Sequence, residues 1–223
     1  VIGVFLTFRI LNIPDLTTEG SFPLGAAVTI SSMLAGQSAI VASLLGFVAG
    51  CLAGWVTGVL DTKLKMPSLL AGILTMTGLY SINMHIMGKA NIPLLDQKTL
   101  MGWLPASWSL NLQTIVIGAM VTLVVLAGLI WLFQTRLGLS LMATGNNPAM
   151  SAANGIYTDR MVIIGYMLSN GLIALSGGLI AQSNGYADIG MGIGTIVIGL
   201  ASVLVGEIFL HGRQIWVRLT GMV

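Results

Sequence analysis

Apolar runs broken by polar stretches set the pattern of this chain. Residues 1–8 are apolar and end at Arg9. Residues 38–60, 67–87, 112–134 and 161–182 each supply the about twenty positions that a membrane-crossing helix needs. Two further runs, 22–36 and 195–210, fall short of that length, and each follows an irregular stretch: NIPDLTTEGS at 12–21 and SNGYADIGMGIG at 183–194. Pro14 and Gly20 keep the first stretch from continuing a lipid-facing helix, and irregular backbone at membrane depth is allowed only where protein buries it or a wet cavity meets it. The predicted fold is an all-α integral membrane protein, a polytopic helix bundle with two broken or re-entrant segments. At an offset of 170 residues Gly20, Ser32, Leu34 and Gly36 meet Gly190, Ser202, Leu204 and Gly206. Paired interrupted segments of this kind point to a transport pathway.

Composition agrees with the pattern. Of 223 residues, 56% are hydrophobic and 7% charged, against about 25% charged in a soluble domain. A net charge of +2, scattered along the chain, gives no basis for nucleic-acid binding. The single cysteine, Cys51, lies within an apolar run and provides neither a disulfide framework nor a thiolate metal site. Lys63, Lys65, Arg136, Arg160, Arg213 and Arg218 fall on one side of the bundle and Lys89 and Lys98 on the other, so the first side is cytoplasmic. Trp103 and Trp108 then suit the outer interface. The chain opens at Val1 without methionine and closes at Val223 soon after a new apolar stretch begins. Residues 1–223 are therefore read as a single transmembrane domain truncated at both ends.

Small residues mark the packing faces. Gly46, Gly50, Gly54 and Gly58 recur every four residues, with Ala42 extending the row. That spacing lets another helix approach closely, either within the subunit or across a subunit interface. Asn170, Ala174, Gly177 and Ala181 share one face of a later span.

The one sizeable polar insert on the predicted cytoplasmic side is residues 138–160, GLSLMATGNNPAMSAANGIYTDR. Asn147 suits an N-cap, Pro148 the first helical position, and Ala149, Met150, Ala152 and Ala153 a helix interior. Gly155 suits a left-handed stop. The product is about two turns of helix, too short to persist alone in water, so it is braced by its own membrane helices or by another protein.

No catalytic constellation emerges. The sequence has no glycine-rich phosphate loop ending in Lys-Ser or Lys-Thr, which argues against nucleotide hydrolysis by this chain. Glu207 and His211 are four residues apart but lack the further ligands that a metal site needs, and the thirteen methionines read as adaptable packing. Arg9, Asp15, Glu19, Asp188 and Glu207 are the ionisable groups near membrane depth. Each carboxylate would cost about 2.5–3.5 kcal/mol at the centre of a lipid-facing helix, so they face protein or water. Asp15, Thr17, Thr18, Glu19 and Ser21 line a path or cap helix ends around the break, since caps use the same residue types. Asn83 and Asn170 either bond between helices or line a pore.

The run Ala143 to Ile156, ATGNNPAMSAANGI, resembles the cytoplasmic loop of ATP-binding-cassette (ABC) importer permeases of the ribose and branched-chain amino-acid type, in which Ala-x-Gly-x-Asn precedes helix formers and Gly-Ile. NIPDLTTEGSFPLGA at 12–26 is similar to that family's Gly-Ile-Asp-Leu-Ser-x-Gly-Ser segment, and GVLDTKLKMP at 58–67 to its loop before a proline-started helix. The inserted Thr18 and Glu19 depart from the family pattern and resemble a branch assigned to tryptophan, tyrosine or related amino acids. The likeness implies a multi-pass permease of a prokaryotic cell membrane, paired with a second copy as a homodimer or pseudo-dimer. It also implies a cytoplasmic ATPase that holds ATP and Mg, and an external solute-binding protein; this chain itself would hold no cofactor. Gly145, Asn147, Pro148, Met150, Ala152, Ala153 and Gly155 would then form the coupling helix. Asp15, Thr17, Thr18, Glu19, Ser21, Asn83, Asn170 and Asp188 are the candidate pathway residues. The expected solute is small and polar, an amino acid, with a sugar or nucleoside as the alternative. An ion-coupled secondary transporter would also use paired broken helices. A membrane enzyme lacks a visible nucleophile and base, and a scaffold would leave the two breaks unexplained.

Overall fold

A computed structural model describes residues 1–94, 99–100 and 110–209. The expectations at Lys98, Trp103, Trp108, His211, Arg213 and Arg218, and the Glu207 side chain, lie outside the described residues.

The chain opens with α1 (Ile2–Phe5), which widens into a π-helical stretch, Leu6–Ile10. Asn12 ends it at φ +56°, a left-handed conformation that asparagine tolerates. After Pro14, α2 (Thr18–Leu34) restarts; its 17 residues leave it short of a full span, as the apolar pattern requires. α3 (Ala39–Thr62), α4 (Ser68–Met87), α5 (Leu110–Gln134) and α8 (Thr158–Asn184) are the four described helices long and apolar enough to cross a membrane. Between α5 and α8 lie α6 (Arg136–Asn146) and α7 (Pro148–Ala153). The sequence pattern did not anticipate α6: its glycines and hydroxyl residues resemble a loop, yet Gly138, Leu141 and Thr144 form a buried face. α9 (Thr195–Phe209) follows the second irregular stretch. That stretch contains β2 (Tyr186–Asp188), which pairs antiparallel with β1 (Asn91–Pro93) so that Asn91 faces Asp188.

The glycine row of α3 packs within the subunit. A Cβ at Gly50 would meet Asn170 and Ala174, one at Gly54 would meet the Tyr166 carbonyl, and one at Gly58 would meet Ile163. α8 therefore lies directly on the α3 backbone. The small face of α8 serves α2 in the same way, because a Cβ on Gly177 would strike the Phe22 carbonyl and one on Gly25 the Ala174 carbonyl.

Four apolar clusters result among the described residues. Phe5, Leu6, Ile10 and Leu11 pack with Leu126, Leu129 and Phe133 of α5, Leu141 of α6 and Val203 of α9. Ala26, Ala27 and Ile30 of α2 pack with Met87, Ala181 and Ala187, Leu24 packs with Ala53 and Leu79, and Met33 packs with Ala39 and Ala42. α8 touches the first two clusters. The loops at 63–67 and 135–157 lie at one end of the bundle with Lys63, Lys65, Arg136 and Arg160, and Lys89 lies at the other. The first end is cytoplasmic by the positive-inside rule.

Candidate functional site

The first break is held by buried polar side chains. Asp15 is fully buried; its Oδ1 accepts from the Thr17 N–H at 2.9 Å and its Oδ2 from Asn170 Nδ2 at 2.7 Å. The first bond closes an Asx turn, which restarts the helix after proline. The second ties the break to Asn170, near the middle of the 27-residue α8 and so near mid-membrane. Asn170 Oδ1 accepts from Ser21 Oγ at 2.7 Å, and its Nδ2 also donates to the Tyr166 carbonyl at 3.1 Å. Thr57 Oγ1 lies within hydrogen-bond distance of the Ala53 carbonyl, at 3.2 Å, and shares a hydrogen bond with Thr17 Oγ1 at 2.9 Å. Thr18 Oγ1 donates to the Asp15 carbonyl at 3.4 Å. Asp15, Thr17, Thr18, Ser21 and Asn170 thus come together as a satisfied network of caps and interhelical bonds.

The other candidates separate. Asn83 is buried and donates to the Gly20 carbonyl at 3.2 Å, while its Oδ1 has no partner among the described residues. Asp188 sits at the outer end, where its Oδ1 accepts from the Gly190 N–H at 2.7 Å and its Oδ2 from Asn91 at 3.5 Å. Glu19 Oε1 accepts from the Gly194 N–H at 3.1 Å, which joins the first break to the second. α2 leaves this meeting point toward β1 and β2, and α9 leaves it toward α5 and α6. The two short helices therefore start side by side and run in opposite directions. A cavity of about 470 Å³ adjoins their starts, with Thr18, Phe22, Thr122, Ser176 and Thr195 in its wall.

Sequence reasoning missed Thr57, Asp61 and Tyr166. The buried Tyr166 hydroxyl donates to Asp61 Oδ2 at 3.1 Å and links α8 to the cytoplasmic end of α3. Asp61 and Tyr166 were both visible as polar groups at or inside apolar runs, but their pairing spans 105 residues.

The cytoplasmic candidates divide into a buried and an exposed set. In α7, Asn147 Oδ1 accepts from the Met150 N–H at 3.0 Å, Pro148 takes the first turn, and Gly155 turns at φ +80°. Ser151 is buried, whereas Met150 is 62% exposed and Ala152 and Ala153 also face outward. Gly145 points the other way: a Cβ there would strike the Ile10 carbonyl, and the Gly145 carbonyl accepts from Asn12 Nδ2 at 3.1 Å. α6 is thereby fastened to the first break. Tyr157 is exposed, with the Arg160 guanidinium 4.7 Å above its ring.

A family model described as "Branched-chain amino acid transport system / permease component" matches residues 1–222. The tyrosine transport system permease protein of Clostridioides difficile is 42% identical over 174 residues, which is 78% of this chain and 57% of that protein. An uncharacterized protein of Rickettsia prowazekii is 35% identical over 78% of this chain and 60% of its own length. The ribose import permease protein of Escherichia coli is 29% identical over 78% of this chain and 54% of its own. The chain spans little more than half the length of these relatives. No solved structure matches it.

Proposed function

The chain belongs to the family of branched-chain amino acid transport system permease components, and from that premise we propose that it is the membrane subunit of an ABC importer for a small polar solute, an amino acid. The observation that carries this reading is α7. It is a capped, two-turn helix beyond the cytoplasmic end of the spans, anchored by Ser151 and presenting Met150 outward. So short a helix needs external support, and an exposed methionine with small neighbours fits an apolar groove. The partner is a cytoplasmic ATPase that holds ATP and Mg, since this sequence has no phosphate loop of its own. An external solute-binding protein delivers the solute, and a second copy of the permease completes the assembly.

Motion has a physical route from α7 to the membrane interior. A push on α7 moves α6, and α6 is locked to the first break by the Gly145 contact with Ile10 and by the Asn12 hydrogen bond. The break in turn holds α2 and α8 through Asp15 and Asn170. ATPase closure can therefore bias alternating states of the bundle through packed contacts. Identity to a tyrosine permease of 42%, against 29% to a ribose permease, favours an amino acid over a sugar.

The test replaces Met150 or Ala153 with arginine in the full-length permease, reconstituted with its ATPase and binding protein. ATP hydrolysis should persist while uptake falls at least about tenfold, the scale of one lost interface anchor. Unchanged uptake in both variants would contradict the docking role of α7.

A further inference from the structure

We propose that Glu19 is the gating residue of this permease: its hydrogen bond to Gly194 holds the starts of α2 and α9 together beside the cavity, and the contact opens for solute to pass. The inference rests on the transport reading above. Four observations lead to it.

The contact joins the starts of two helices that otherwise pack mostly on different neighbours. α2 packs with α3, α4, α8 and β2, whereas α9 packs with α1 and places Val203 in the apolar cluster that holds Leu126, Leu129 and Phe133 of α5 and Leu141 of α6. α6 carries α7, so movement at α7 reaches α9 through its own apolar group and meets α2 at the Glu19–Gly194 bond.

The backbone contact beside that bond is separable. Pro23 lies inside α2 and has no N–H to offer the Glu19 carbonyl. Gly192 covers that carbonyl instead, and a Cβ at Gly192 would strike it. A Cα–H contact onto a carbonyl is a weak interaction, so the side-chain bond from Glu19 supplies the directional part of the closure.

The helices run away from each other. Axial displacement of α9 relative to α2 therefore lengthens the Glu19–Gly194 distance directly and need not slide one helix along the other.

Finally, the contact stands at a chamber of suitable size. Thr18 and Thr195, the first residues of the two helices, both line the 470 Å³ cavity, within the about 300–1,000 Å³ range of small-molecule sites. Its described lining contains no Asp, Glu, Lys or Arg side chain and includes the hydroxyls of Thr18, Thr122, Ser176 and Thr195.

The experiment uses the full-length permease in proteoliposomes with its ATPase and binding protein, and records solute uptake per ATP hydrolysed. Glu19→Ala should lower that ratio about tenfold, as expected for loss of a hydrogen bond to a charged group, with basal ATP hydrolysis and Tm retained. Glu19→Gln keeps a carbonyl acceptor for Gly194 and should restore most of the ratio. Gly192→Ala, which wedges the two starts apart, should reproduce the loss. If Glu19→Ala does not fold, Glu19→Asp carries the test, because it keeps the charge but withdraws it from Gly194 and should lose coupling likewise. An unchanged ratio in the Ala or Asp variant would overturn the gate, and so would a parallel fall of Tm, hydrolysis and uptake in all variants. Wild-type protein that shows no ATP-dependent uptake would overturn the transport reading itself, and the gate with it.

Discussion

At the scale of single residues, Asp15 and Asn170 are separated by 155 positions yet share one 2.7 Å bond at membrane depth. Asn170→Leu removes the donor and leaves a buried carboxylate oxygen unmet, which should cost about 2–3 kcal/mol. Asn83 is the contrast. It makes one 3.2 Å bond and, among the described residues, leaves Oδ1 unpartnered, so Asn83→Leu should cost less than about 1 kcal/mol. Thermal unfolding in detergent measures both, and equal destabilisation would contradict this assignment of the two asparagines. Sequence reading identified both as polar groups inside apolar runs but left bonding and pore lining as alternatives. The bonds of Asn170 to Asp15 and Ser21 were not legible, because these partners come from a break whose position in space is set by tertiary packing.

At the scale of elements, the clearest sequence signal was the glycine row of α3, and its undetermined feature was the partner. The structure supplies α8 of the same subunit. Gly54→Leu places a side chain against the Tyr166 carbonyl and should cost more than about 3 kcal/mol, abolishing monodisperse protein on gel filtration. A Cβ added at Gly78 of α4 would meet no described residue, so Gly78→Leu should be tolerated in the same assay. The α7 helix was legible in detail because its cap, proline and stop are local chemistry: Asn147, Pro148 and Gly155 occupy the predicted roles. Asn147→Ala removes the cap and should weaken the helix by about 1 kcal/mol, seen as faster amide exchange at 148–153. α6 and the opposed directions of α2 and α9 were not legible. α6 buries only Gly138, Leu141 and Thr144, and direction depends on long-range contacts that no local pattern encodes.

At the scale of the whole molecule, α8 joins the apolar clusters along its length, and the first break and the Glu19–Gly194 contact tie them further. The Asn12–Gly145 bond sits where the cytoplasmic loop meets the break. Asn12→Ala should therefore reduce uptake per ATP while the folded bundle persists. These joints matter only if an ATPase drives them, so the most direct measurement is solute uptake into proteoliposomes that contain the full-length permease, its ATPase and its binding protein. The expected result is accumulation of an amino acid that requires ATP on the cytoplasmic side and survives collapse of all ion gradients. Uptake that follows an ion gradient and proceeds without ATP would contradict it.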